Sequence, residues 1–316
     1  MIHMIRTSIV AGVAIVLLSC PAALSAQTPS PLATPTGAEA NVSLGGYKYV
    51  EPSDITISMH GFKFGGEFTG TIAVGKRRQW FVQGNARGVF GNTTYTGFCR
   101  PWLIRPNSAS PNGYELDLGD ASPCTDSGDK DWYVETRGLV GRDLIGATWA
   151  LAPYSGVGYR HLSNGTGGTP GYRTDDYLYV PIGLTARTEV ASHHALSLNV
   201  EYDIFARGWQ NTYNTKLGGG TVPATPTAPA FVINGLSDVA FDQHGGWALR
   251  VSGKYAIAPR WWVEPFYIRW NVDDSPVNDI TATFTVNNIT AHEAFGAYEP
   301  KNYTNEFGVK VGLRFK

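Results

Sequence analysis

From Glu306 to Phe315 every second residue is apolar. Phe307, Val309, Val311, Leu313 and Phe315 fall on one face of an extended chain, and Glu306, Gly308, Lys310, Gly312 and Arg314 on the other. A period of two is the mark of a β-strand with two unlike faces. The pattern recurs. Phe62, Phe64, Phe68, Ile72 and Val74 oppose Lys63, Glu67 and Thr69, and Leu196, Leu198, Val200, Tyr202 and Ile204 oppose Ser197, Asn199, Glu201 and Asp203. Leu178, Val180, Ile182 and Leu184 oppose Tyr177, Tyr179, Arg187 and Glu189; Trp247, Leu249, Val251, Tyr255 and Ile257 oppose Arg250, Ser252 and Lys254. Weaker versions run through 79–97, 131–142 and 148–163, and 260–272 is ambiguous because Glu264 and Arg269 fall on opposite faces, with Pro265 expected to mark a bulge.

The connections alternate in length. Tight ones are expected near Lys76–Arg78, Arg142–Gly146, Ser192–His194 and Ala258–Arg260, and long ones over about 98–130, 163–174, 210–245 and 273–304. Irregular loops of that size are foreign to a compact soluble domain, but short turns at one end and long loops at the other are the asymmetry of a transmembrane β-barrel. Nine strands are evident, and a barrel with both chain ends on one side needs an even number. A tenth over Val42–Val50, with Tyr47 and Tyr49, satisfies parity. The fold class expected is therefore all-β, a transmembrane antiparallel up-and-down β-barrel of 10 strands. Twelve would require a hairpin inside 99–130 or 273–304, where Thr281, Thr283 and Thr285 alternate with Ala282, Phe284 and Val286.

Composition agrees. Charged residues make up 16% of the 316 residues, aromatic residues 12%, and glycines number 37. This balance suits an apolar outer surface and excludes a disordered chain, a coiled coil or a polybasic nucleic-acid binder. Arg6, the apolar run Ile9–Leu18 and the small-residue site Leu24, Ser25, Ala26 read as a signal peptide over 1–26 cleaved after Ala26. Leu17, Leu18, Ser19, Cys20 also resembles a lipoprotein box, with Pro21 following the cysteine. Removing one cation and no acid leaves 24 minus 26, a mature net charge of -2. Residues 27–41, rich in Pro, Thr, Ser and Ala, read as a flexible N-terminal tail, so the barrel domain is placed at 42–316. Cys99 and Cys124 then remain in one polar segment of an exported chain and read as a disulfide.

A charge facing lipid at the midplane costs about 2 to 4 kcal/mol for Arg or Lys. The charged face must then be the lumen. It should hold Lys63, Glu67, Arg87, Glu135, Arg137, Arg160, Arg187, Glu189, Glu201, Asp203, Arg207, Arg250, Lys254, Glu306, Lys310 and Arg314, ten cations and six anions that pair and fill a narrow interior. Trp80, Trp132, Trp149, Trp247, Trp261, Trp262 and Trp270 lie near strand ends, where interfacial girdles are expected. The closing strand, ending in Phe315 before Lys316, resembles the assembly signal of outer-membrane barrels and implies a Gram-negative outer membrane. The partners expected are outer-membrane lipid and lipopolysaccharide at the wall and an external ligand at the loops, with no nucleic acid, no cofactor, no metal and a monomeric chain.

Tyr179–Thr185 and Gly312–Phe315 resemble strands of the omptins, ten-stranded outer-membrane proteases of about this length. An omptin activates a water with an Asp-x-Asp-Trp pair in its second external loop and an Asp-x-His pair in its fourth. The counterparts here are Asp129, Asp131 and Trp132 with Asp242 and His244. Aligned through Gly91 and Asn92, however, the omptin aspartates fall on Tyr95 and Gly97, and the Asp129/Asp131 pair opens the next strand. Read without the resemblance, these are rim charges of Asp-rich loops.

Tyr159–Gly165 contains His161, Ser163 and Asn164 and resembles the His-x-Ser-Asn segment of outer-membrane phospholipase A and of the outer-membrane lipid A deacylase. There His activates Ser for acyl attack and a third polar side chain orients the His. His161 and Ser163 continue the apolar row Trp149, Leu151, Val157, Tyr159, so both should face lipid at the outer end. Asp175 is the candidate third member, with Asp176 as its neighbour option; of the phospholipase's Arg-rich segment only Arg173 is present. A His and a Ser in an aromatic girdle are otherwise ordinary interfacial residues. The expected function is a surface-binding or structural barrel without catalysis of its own; a lipid acyl hydrolase on His161/Ser163 comes next, and an omptin-like protease after it.

Overall fold

A computed structural model describes residues 32–52, 56–75, 79–165, 172–191, 194–258 and 260–315. The expected signal peptide 1–26, residues 27–31 of the expected tail, the tight turn expected at 76–78 and residues 192–193 of the turn expected at Ser192–His194 lie outside the described residues. Ten long strands make the wall: β1 (Gly37–Glu51), β2 (Ile57–Val74), β3 (Trp80–Cys99), β4 (Ser122–Arg142), β5 (Trp149–Asn164), β6 (Arg173–Ala191), β7 (His194–Thr212), β8 (Gly246–Ala256), β9 (Trp261–Val272) and β10 (Asn302–Phe315). Each pairs antiparallel with its sequence neighbours, and β1 pairs with β10 from Ala38↔Phe315 to Val50↔Tyr303, so the sheet closes. This is the ten-stranded barrel implied by the alternation and by the resemblance. β1 begins at Gly37, five residues before the expected Val42, because Gly37 pairs with β2 and 38–41 are held on both sides, by β2 and by β10.

The wall is apolar outside and polar inside. Phe62 is 73% exposed and its neighbour Lys63 is 2% exposed, the reverse of a soluble protein. Inward glycines make room for rings lying against the wall: a Cβ at Gly158 would stand 2.1 Å from Tyr179 Cζ, and one at Gly312 would stand 2.1 Å from Trp262 Cζ2.

Four placements differ from expectation. Arg207 faces outward, because a register shift between Phe205 and Arg207 inserts Ala206 and flips the phase of β7. Glu189 is exposed near the turn end of β6, next to another register irregularity at His194/Ala195. Trp262 and Trp270 are buried inside the barrel and do not join the girdle, since adjacent Trp261 and Trp262 must take opposite faces. Pro265 produces no bulge: the register with β8 and β10 runs through it unbroken, with ladder pairs missing beside β8 because proline offers no N–H.

At the long-loop end the connections fold into a cap. Asn278–Val286 and Ile289–Ala297 form a hairpin joined through Asn287 and Asn288, both at positive φ (49° and 65°). Asn278–Val286 also pairs with Phe231–Leu236, which pairs with Gly220–Val222, making a four-stranded sheet. A second hairpin, Trp102–Pro106 with Tyr114–Leu118, packs on it. Ile104, Leu116, Phe231, Ile233, Phe284 and Val286 form a core separate from the barrel's own. The hairpins that a twelve-stranded barrel would have needed thus exist, but they pair above the wall. The Cys99–Cys124 disulfide ties β3 to β4 at the base of the first hairpin.

Candidate functional site

Three groups of chemistry-bearing residues occupy different places. The first fills the lumen. Arg250 on β8 donates to both oxygens of Glu135 (2.9 and 2.5 Å) and to Asp203 (2.7 Å), and lies 3.2 Å from Glu201. Arg137 bonds Glu201 at 2.6 Å, and Tyr154 and Tyr179 donate to Glu201 and Glu135. Towards the long-loop end, Arg87 pairs with Glu306, Arg160 lies 3.9 Å over the Tyr133 ring, and Lys63 bonds Asp131 at 2.6 Å beneath Tyr47. Towards the turn end, Glu39 takes Lys254 and Arg314, and Asp143 takes Arg187 and the Thr34 backbone and hydroxyl. Trp270, 2% exposed, plugs the middle against Tyr179 and Arg160. The expected excess of lumen cations is met by Glu39, Asp131, Asp143 and Glu264, acids that reading by single strands did not place inside.

The second group lies on the outer wall. β5 carries Tyr159, His161 and Ser163 outward, and the register sets His161 opposite Asp176 of β6 and Ser163 between Trp132 and Thr174. His161 Nδ1 stands 2.7 Å from Asp176 Oδ1, which also accepts from the Tyr159 hydroxyl. The Trp132 ring lies 5.4 Å from the imidazole. With Nδ1–H donating to the carboxylate, Nε2 is left to accept a proton. No hydrogen bond joins Ser163 to His161 among the described residues. Asp175, the candidate third member, does not belong here. It alternates with Asp176 and shares the face of Tyr177 and Tyr179, inside the barrel near Arg173 and Glu299. Asp176 stands where Asp175 was expected.

The protease set is not brought together. Asp129 and Asp131 are buried on the inner face of β4, and Asp131 is committed to Lys63. Asp242 pairs with Arg207 at 3.2 Å on the outside, and His244 is exposed just beyond it. Gln243, fully buried, takes the inward position between them, so the wall separates the two halves. No group of three or more His, Cys, Asp or Glu able to hold a metal occurs among the described residues.

The third group, which sequence reading missed, is at the long-loop mouth. Glu51 and Tyr49 of β1, Arg173 of β6 and Glu299 of the 273–301 loop meet there, with both glutamates about 5% exposed or less. Their ring closure depends on β1 lying beside β10 and on the loop folding back, neither of which has a local signal.

Comparison with known proteins is limited to fold. No protein-family model matches the chain, and no curated protein matches it. Among solved structures, the outer membrane protease OmpT from Escherichia coli is similar at 14% identity, covering 89% of this chain and 98% of that one, TM-score 0.45. The translocator domain of autotransporter NalP from Neisseria meningitidis is similar at 11% identity, covering 89% and 90%, TM-score 0.34. The attachment invasion locus protein Ail of Yersinia pestis is similar at 7% identity, covering 89% and 99%, TM-score 0.25.

Proposed function

We propose that this chain is a monomeric Gram-negative outer-membrane protein that acts from its external surface, presenting the folded cap to a ligand outside the cell and passing no solute through its lumen. The observation that carries this reading is the Arg250–Glu135–Asp203 cluster with Trp270, which occupies the middle of the barrel with buried, mutually bonded side chains. The apolar outer belt supports the membrane placement. Above that belt, Arg269, Asn305, Lys48 and His60 fall opposite one another on β9, β10, β1 and β2 and face outward, a row suited to the phosphates of lipopolysaccharide. Reconstituted in planar bilayers with lipopolysaccharide in one leaflet, the full chain is expected to give no current above the bare membrane; steady single-channel steps would refute the reading. In the same lipid, Lys48→Ala with Arg269→Ala should remove the thermal stabilisation that lipopolysaccharide gives the parent.

The 2.7 Å contact between His161 and Asp176 favours a second reading, a lipid acyl hydrolase on the outer wall. Ser163 would lose its proton to His161 Nε2 as its oxygen attacks an ester carbonyl. Asp176 would hold the imidazolium, which then protonates the departing alcohol, and water would release the fatty acid. Acyl attack requires the Ser163 hydroxyl to turn onto Nε2 when lipid is bound. The chain refolded in detergent with phospholipid or lipid A should then release fatty acid, and Ser163→Ala should lower the rate by about a thousandfold or more. Equal release by the variant, or none by the parent, removes this reading and leaves the first intact.

A further inference from the structure

Glu51 and Glu299 meet at one Tyr49 hydroxyl at the mouth, with too few donors between them. The Tyr49 hydroxyl has one proton and lies 2.8 Å from Glu51 Oε1 and 3.4 Å from Glu299 Oε1. Arg173 Nη1 stands 3.8 Å from Glu51 and 3.6 Å from Glu299, ion-pair distances without a hydrogen bond, and its buried Nε has no partner. Asp175, on the inner face of β6, is a further acid near Glu299 and Arg173. The two glutamates therefore share one guanidinium and one phenol in a site where Glu299 is 5% exposed. Two ionised carboxylates this close in low dielectric repel, and the usual resolution is that one of them keeps its proton.

The backbone around Glu299 gives this arrangement a mechanical consequence. Glu299 N donates to Ser275 Oγ at 2.8 Å and Ser275 N donates to Glu299 O at 3.0 Å, so the residue clasps the two ends of the 273–301 loop. That loop carries both strands of the cap hairpin, and Glu299 is its side chain that reaches Tyr49 and Arg173 on the wall.

We propose that Glu299 is a protonation latch: with its proton it holds the 273–301 loop, and the cap hairpin that loop carries, down on the barrel mouth, and on ionising it lets them lift. This rests on the reading of the cap as the working surface. The groups facing Glu299 are Glu51 and Tyr49 from β1 and Arg173 and Asp175 from β6. Burial, with Glu51 beside it, pushes the Glu299 carboxyl up to about 7, against the pull of Arg173. In the lifted state, in water, Glu299 returns to the ordinary carboxylate range. An acid whose pKa is higher when closed stabilises closure below its open-state pKa, and that contribution is lost as pH rises through the closed-state value. Between pH 6 and pH 8 the closed-to-open ratio should fall about tenfold.

Hydrogen exchange of the full chain in detergent, corrected for intrinsic rates, reads this directly. Peptides from 273–301 should lose about tenfold in protection from pH 6 to pH 8, while β2 and β3 peptides hold theirs. Glu299→Gln, which cannot ionise, should be protected equally at both values. Glu51→Gln, which removes the repelling neighbour, should shift the loss to lower pH and serves if Glu299→Gln fails to fold. A pH-independent parent, or a Glu299→Gln variant that still loses protection, overturns the latch. Failure of the surface reading would appear separately, as conductance in the bilayer experiment.

Discussion

Arg250→Met should be the most damaging single substitution in the barrel. It strips the partner from Glu135 and Asp203, which are 2% and 0% exposed, and removes one of two cations from Glu201. Removing one member of a buried ion cluster strands the others, at a cost of about 3 to 5 kcal/mol. The loss should appear as a lower urea midpoint in detergent and an earlier loss of the folded band on heated gels. Arg250→Lys should recover only part of it, because an ammonium cannot serve both oxygens of Glu135 and reach Asp203 at once. Combining Arg250→Met with Glu135→Gln and Asp203→Asn should recover most of it, since no charge is then left unpaired. Parent-like unfolding of Arg250→Met alone would mean that water, not protein, solvates these carboxylates, and the closed-lumen reading would lose its basis.

How far the sequence was legible follows from the distance over which each feature is encoded. β10 alternates within its own residues, so its two faces and its inward Glu306 and Lys310 could be read directly. The phase of β7 could not, because the extra residue at Ala206 that turns Arg207 outward has no signature in the run Ile204–Gly208. The wall site depended on a single step: Asp175 and Asp176 are equally good candidates in sequence, and only the pairing of His161 with Asp176 decides which faces out. The cap was least legible. Thr281, Thr283 and Thr285 did announce a strand, but its partner Phe231–Leu236 comes from another loop about fifty residues earlier. Pairings that distant leave no local periodicity.

The wall and the cap differ in what holds them, and that difference bears on function. The wall is closed by ten antiparallel ladders and braced inside by ion pairs. The cap has one small core, a disulfide, and a few polar contacts to the strands beneath, such as Asn278 Nδ2 to Ala240 O (2.7 Å) and Glu299 Oε2 to Arg173 Nη1 (3.6 Å). A surface meant to meet an external partner can then change shape on a frame that does not.

Phe284→Ala tests this separation. Phe284 is fully buried among Phe231, Val286, Ile104 and Leu116, contributed by three different loops, and emptying a site of that kind costs about 3 to 5 kcal/mol. So large a loss should exceed what a four-stranded sheet and one hairpin can supply alone, and the cap should open while the barrel stays folded. Limited proteolysis in detergent should then cut within 102–118, 220–236 and 278–297, whereas the heat-modifiable shift of the barrel should match the parent. The Cys99–Cys124 bond should keep the two fragments of a chain cut between 102 and 118 together until it is reduced. If barrel and cap are instead lost in one transition, the cap core belongs to the barrel's cooperative unit. A latch that moves the cap alone would then have nothing separate to move.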